Sequence, residues 1–321
     1  MSWIERQLPK GDEIFLDHVG FFVEDIEAIG EVLKRVGFTP TPVNIHYNSD
    51  EKGDLRKSGT ANRLCTFGFG YIEVLGAVAD TPLADQLKAA LSRYSGLHLL
   101  AFTHENMEEQ RNRILAAGFD LQPTVRLRRP IQTAEGEKTV RATVVRVKPD
   151  VMSESRVQML THETPELIWL EDYSDHPNQA EALTDLFLIS DEPMDKADQY
   201  ARFTGGLILQ EDDLWVVSLP RGRMTFSTPD TANKIFPGLN IPSLPYIAAL
   251  SIRSGDLEKT KRYTQSQGIK PVAVNDTMVC IGPEEGLGAY LVFHSHSTFI
   301  NLFYTQTGLR RSTKSVYKLC G

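Results

Sequence analysis

The chain has 321 residues, 41 % of them hydrophobic and 24 % charged, a balance that excludes wholesale disorder and is long enough for two ordinary domains. With 34 Lys and Arg against 42 Asp and Glu the formal net charge is −8, which argues against a surface that tracks nucleic acid; the basic clusters at Arg126, Arg128 and Arg129 and at Arg310 and Arg311 are too short to reverse that. Three widely spaced cysteines, a charged N-terminus without an apolar core, and no apolar run long enough for a bilayer predict a cytoplasmic protein with no disulfide framework.

The first predicted strand, 16–23, alternates: Val19, Phe21 and Val23 on one face, His18, Gly20 and Phe22 on the other. Asp25 is placed to cap the next helix, in which Ile26, Ile29, Leu33 and Val36 form an apolar stripe. Gly37 ends it and Phe38 begins the return strand. His46 lies on the second strand, on the face of Asn44. The charged stretch NSDEKGDLRKSG is expected to loop over a cavity as a lid. Strands follow at 61–68 and 70–77; in the second, Tyr71, Glu73 and Leu75 share a face.

The same order returns from Gly96, with His98 in the place of His18 and Gly118–Phe119 in the place of Gly37–Phe38. Its later strands fall at 139–148 and 155–162, and the last puts Arg156, Gln158, Leu160 and His162 together. A weaker third copy begins at Leu183 and a fourth at Pro245, with Asp256 as cap and Gly268 as stop. Helices are expected to begin near Asp25, Glu105, Pro193 and Asp256. One such unit leaves a sheet face bare, and two together close a curved sheet around a cavity. The predicted fold is therefore α+β: four βαβββ modules in two paired halves, 1–178 and 179–295, joined through YSDHPNQAEA, with a peripheral tail at 296–321.

This order of elements resembles the vicinal oxygen chelate superfamily, which includes glyoxalase I, extradiol ring-cleaving dioxygenases and antibiotic-resistance proteins. GTANRL, residues 59–64, and THETPELIWLEDYSDHPN, residues 161–178, are similar to stretches of its glyoxalase-like branch. The module pattern covers nearly the whole chain and the two motifs only its first half. In metal-dependent members the ligands come from the first and last strands of paired modules. The resemblance thus implies a divalent ion (Fe2+, Mn2+, Zn2+, Ni2+ or Co2+) held by His18, Glu73, His98 and Gln158. His46 and His162 are the expected proton carriers, and His162 is an alternative ligand to Gln158. Asn62, Arg63 and Arg129 are expected to bind substrate, the guanidiniums by gripping a carboxylate or phosphate.

The implied function is a metal-dependent enzyme using glyoxalase-type lyase or isomerase chemistry on a small oxygenated substrate. Extradiol dioxygenation and metal-free sequestration of a small molecule are the alternatives, because one fold hosts several chemistries. The expected partner is a small-molecule substrate, not nucleic acid or membrane, and a homodimer is one expected assembly. Plainer readings stand beside these: strand histidines as core residues, Glu73 as an ion-pair partner of Arg63, His176 as a turn residue and Cys65 as packing.

Overall fold

A strand, a helix and three strands recur four times along the chain. The computed structural model describes residues 3–49, 55–133, 135–236 and 238–295, and the backbone of a strand at 313–317. The first module is β1 (Phe15–Val23), α1 (Ile29–Val36), β2 (Asn44–Ser49), β3 (Leu55–Thr66) and β4 (Tyr71–Ala77). After α2 (Pro82–Leu91) comes the second: β5 (Gly96–Thr103), α3 (Met107–Ala116), β6 (Val125–Thr133), β7 (Gly136–Arg146) and β8 (Arg156–His162). The third is β9 (Ala180–Ile189), α4 (Pro193–Thr204), β10 (Leu207–Glu211), β11 (Leu214–Ser218) and β12 (Arg223–Ser227). After α5 (Pro229–Ile235) the fourth is β13 (Tyr246–Ser254), α6 (Leu257–Ser266), β14 (Ala273–Val274), β15 (Met278–Ile281) and β16 (Tyr290–His294). The last described strand is β17 (Thr313–Tyr317).

Local chemistry sets the helix ends. The Asp25 carboxylate accepts the N–H groups of Glu27 and Ala28, so it caps a turn, and α1 proper starts later than expected, at Ile29. α3 is capped by Asn106 and α6 by Asp256, each accepting an N–H three residues on, and α4 begins at Pro193. Gly37 closes α1 at φ 95°, where a Cβ would stand 2.7 Å from Asn178 and Tyr263.

The first sheet has eight strands in the order β2-β3-β4-β1-β5-β8-β7-β6. Within each module the first and last strands pair parallel, and β1 and β5 join the two modules antiparallel. The edge strands β2 and β6 touch, so the sheet curls nearly closed. The second sheet repeats the plan through β9 and β13 in the order β14-β15-β16-β13-β9-β12-β11-β10-β17. The expected tail thus includes a strand on β10; its other residues lie outside the described ones.

Alternation divides the side chains between two faces. On the outer faces Phe21, Leu33 and Phe102 share one buried cluster with Leu186, Phe203 and Phe293, so both sheets and their helices have a common core. Each such side chain contributes roughly 1.5–3 kcal/mol by leaving water. The inner face of the second sheet is filled by Phe187, Phe236, Tyr246 and Tyr290, with Ile235 of α5 packed among them. The inner face of the first keeps open space. No helix among the described residues is long and apolar enough to cross a membrane.

Candidate active site

The inner face of the first sheet surrounds an open cavity. Two bulges decide which side chains reach it. Along β1 and β5, Leu16 faces Phe102 and His18 faces Ala101, leaving Asp17 as an extra residue of β1; farther along, Gly20 faces Leu99 and Phe21 faces Leu97, leaving His98 as the extra residue of β5. A bulge breaks strict alternation. Asp17 consequently reaches the imidazoles of both His18 and His162.

The parallel ladders give the equivalences between modules. His18 is opposite Tyr71 and Gly20 opposite Glu73; Leu99 is opposite Arg156 and Ala101 opposite Gln158. Glu73 and Gln158 therefore correspond, but the counterpart of His18 is Leu99. In the second sheet the counterparts of His18 are Asp185 and Ala249, facing Arg223 and Tyr290.

On the first-module wall, His18 Nδ1 donates to Asp17 Oδ2 at 2.6 Å and its ring stacks on Tyr71 at 4.3 Å. Asp17 is fully buried. His162 Nε2 donates to it at 3.1 Å from the opposite side, with its own ring edge-on to Trp169. Burial would raise the Asp17 carboxyl, but His162 and His18 outweigh it and hold the group well below the usual carboxylate range. The remaining nitrogen of His18, Nε2, lies 3.7 Å from Glu73 Oε2. Glu73 Oε1 accepts from Asn62 Nδ2 at 2.5 Å, and Arg129 Nη1 donates to Asn62 Oδ1 at 2.7 Å. Burial opposes ionisation of Glu73 too; the imidazoles of His18 and His46, with Asn62 and Arg129, outweigh it and keep its carboxyl below the ordinary value. His46 Nδ1 meets Thr60 Oγ1 at 3.0 Å and its Nε2 lies 3.9 Å from Glu73. Burial, helped by the Arg129 cation, pushes His46 down to about 4, so it is neutral at pH 7. Burial, reinforced by Asp17 and Glu73, raises Tyr71 well above its ordinary value and keeps its hydroxyl protonated.

The second-module wall is cationic. Arg156 lies over the Phe22 ring, 5.3 Å from its centre, and Arg146 Nε donates to Gln158 Oε1 at 3.1 Å. Burial and the neighbouring Arg146 charge bring Arg156 down to about 9, still charged at pH 7. Leu75, Leu99 and Leu160 supply apolar surface between the walls.

The structure brings His18, His46, Asn62, Glu73, Arg129, Gln158 and His162 to this one cavity. Two expected residues are not there. His98, carried off the inner face by its bulge, donates through Nε2 to Tyr94 O at 2.7 Å and stacks on Tyr94; burial drives it down to about 4. Arg63 falls on the outer phase of β3 and ties the strand to the start of α1, donating to Ile26 O, Thr41 O and Glu27 Oε2. Four-residue metal binding through His18, Glu73, His98 and Gln158 does not fit these positions: Leu99 stands where the second imidazole is needed, and the Gln158 oxygen accepts from Arg146. Among the described residues no group of three or more His, Cys, Asp or Glu side chains is arranged to hold a metal.

The expected lid is largely a hairpin, since β2 and β3 pair out to Ser49 and Leu55; residues 50–54 lie outside the described ones. The HPN segment is structural. His176 accepts from Thr39 N–H and donates to Thr66 O, and Asn178 Nδ2 donates to Val36 O at the end of α1. Asp17, Tyr71, Arg146 and Arg156 were not singled out by the sequence as site residues. Arg156 shares the strand phase of Gln158, which is the signal that could have found it.

Paired βαβββ modules curled around such a cavity define a protein of the vicinal oxygen chelate fold. The family model described as a glyoxalase-like domain matches residues 16–204, and the chain belongs to that family. No curated protein matches the chain significantly. Among solved structures, a hypothetical protein from Staphylococcus aureus is similar at 12 % identity and a TM-score of 0.61, covering 88 % of this chain and 100 % of that one. A mutant of 4-hydroxymandelate synthase from Streptomyces coelicolor is similar at 12 % identity and 0.55, covering 89 % and 95 %. A xylose isomerase-like TIM barrel/4-hydroxyphenylpyruvate dioxygenase fusion protein is similar at 11 % identity and 0.60, covering 93 % of this chain and 51 % of that one. At these identities the likeness shows the fold alone.

Proposed function

We propose that the chain is a glyoxalase-like enzyme of the lyase or isomerase type that moves a proton on a small oxygenated substrate, with His18 and Glu73 as its acid–base pair. One observation carries the reading: the buried 2.6 Å bond from His18 Nδ1 to Asp17 leaves Nε2 at the cavity wall, 3.7 Å from Glu73. A buried carboxylate that takes one N–H of an imidazole fixes its tautomer and orientation and stabilises the imidazolium formed when the other nitrogen takes a proton. Glu73, held by Asn62, is placed to receive or return that proton at a neighbouring substrate atom. The neutral His46 offers a hydrogen bond to a substrate oxygen, while the protonated Tyr71 hydroxyl is engaged by Asp17. His162 positions Asp17 and has no direct part in the chemistry. Positioned proton transfer of this kind is worth about 10²–10⁴-fold in rate.

A second reading keeps a divalent metal, favoured by the Nε2 atoms of His18 and His46, which face Glu73 at 3.7 and 3.9 Å. As placed, these three side chains are not arranged to hold a metal, so an ion would have to draw His18, His46 and Glu73 together, and it would supply Lewis-acid polarisation of a carbonyl.

Deuterium uptake from D₂O into a panel of small 2-oxo acids, 2-hydroxy acids and aldehydes, followed by NMR, tests the proposal. At least one compound should exchange with the native protein, and His18→Gln and Glu73→Gln should each slow it at least ~100-fold. Exchange lost on chelation, with stoichiometric metal in protein purified without a metal column, supports the second reading. No exchange in any compound defeats both.

A further inference from the structure

The cavity is lined unequally in charge. Arg129, Arg146 and Arg156 face it, and Glu73 is the one carboxylate among its described lining residues. None of the three guanidiniums makes a salt bridge among the described residues. Arg129 is 5 % exposed, and its Nε, buried, has no hydrogen-bond partner there. Three guanidiniums facing one carboxylate leave the half-dry cavity with excess positive charge, which is costly, and that cost is recovered when an anion enters.

The charges are also segregated. The parallel ladders make Arg156 the counterpart of Tyr71, Leu99 that of His18 and Gln158 that of Glu73. One pseudo-symmetric wall therefore carries the acid–base groups, and the other carries the cations at matching heights. Arg146, opposite Gln158 on β7, stands beside Arg156. Apolar side chains, Leu75, Leu99 and Leu160 among them, line much of the remaining cavity.

We propose that the substrate is an organic oxyanion whose carboxylate or phosphoryl group is held by Arg146 and Arg156 while its apolar body lies against Leu75, Leu99 and Leu160. Two guanidiniums side by side match the two or three oxygens of such a group, a geometry lysine does not reproduce. Anchoring that end on the second-module wall sets the rest of the molecule toward His18 and Glu73. The assignment rests on the proton-transfer reading only for which end of the substrate reacts; the anion site stands by itself.

Binding of defined probes by the native chain, measured by calorimetry and thermal shift, tests this. The probes are 4-methylpentanoate, 3-methylbutyl phosphate, the neutral 4-methylpentanamide and inorganic phosphate. The carboxylate or the phosphate ester should bind at least ~10-fold more tightly than the amide. Arg156→Gln and Arg146→Gln should remove that preference with little change in melting temperature, and Arg156→Lys should restore part of it. The stronger of the two organic anions tells which oxyanion the site takes, and the inorganic ion should bind more weakly than the ester for want of an apolar body. Equal binding of acid, ester and amide, no binding by any of them, or arginine variants within twofold of the native preference, each overturns the assignment. His18→Gln should bind the anions unchanged. Arginine-dependent binding without His18-dependent exchange therefore sinks the proton-transfer reading alone, and exchange without anion preference sinks only the anion site.

Discussion

Asp17 and His98 hold equivalent positions in the first two modules: each is the extra residue of a bulge in the ladder between β1 and β5. The consequences are opposite. Asp17 is drawn between His18 and His162 and becomes the charge that organises the cavity, whereas His98 is turned against Tyr94, away from it. A carboxylate in the first module and an imidazole in the second thus mark the wall proposed to move the proton and the wall proposed to bind the anion.

The placement of His98 predicts a pH effect on stability unconnected to activity. Its folded value is about 4 against an ordinary 6.5. Between those values the unfolded chain binds more protons, so the stability contribution is complete above about pH 6.5 and is lost as pH falls toward 4. At about 1.4 kcal/mol per unit, protonation costs the folded state roughly 3 kcal/mol. His98→Phe should flatten the fall in melting temperature across that window and leave probe binding within twofold. An unchanged slope means that His98 does not titrate as its burial requires.

Arg63 should behave as a structural residue. Arg63→Ala removes a charged donor from Ile26 O, Thr41 O and Glu27, and should cost about 2–3 kcal/mol in chemical denaturation. The Kd of the anionic probes should not move. A large change in Kd at constant stability would return Arg63 to the binding site.

Glu73→Gln separates charge from shape. The amide oxygen still accepts from Asn62, so the fold should persist with a melting temperature within a few degrees. Proton exchange should fall at least ~100-fold. The folded carboxyl is held below its ordinary value, so the stability its charge contributes is present above that ordinary value and is lost as pH falls through the folded one. The variant should therefore lose less stability than the native protein on acidification. A variant that unfolds at neutral pH while keeping exchange would make Glu73 a structural group.

Most of the architecture was legible because periodicity survives one sequence: the stripe of Ile29, Leu33 and Val36, the stop at Gly37 and the alternation through Glu73 each report a local preference. The pairing of Glu73 with Gln158 was legible for the same reason. The match of His98 to His18 was not, since a bulge shifts strand phase by one residue without a mark in the pattern. Asp17 was hidden by the same event, because alternation assigns it to the outer face. Arg63 carried the right chemistry on the wrong phase of β3, beside Asn62 on the right one. The filling of the second sheet by Phe236 and Tyr290 depends on α5, whose position no local signal gives.

In the proposed reaction Asp17 makes His18 the base. The direct measurement is the rate of deuterium uptake into the exchanging substrate by Asp17→Asn at saturating concentration, with anion binding measured on the same protein. Asparagine keeps the size of the side chain but removes the charge that holds the Nδ1 proton and supports the imidazolium. The expected rate is at least ~100-fold lower, with the Kd of the acid probe within twofold of native. A rate within threefold of native, in a folded protein that still binds the acid, would contradict it.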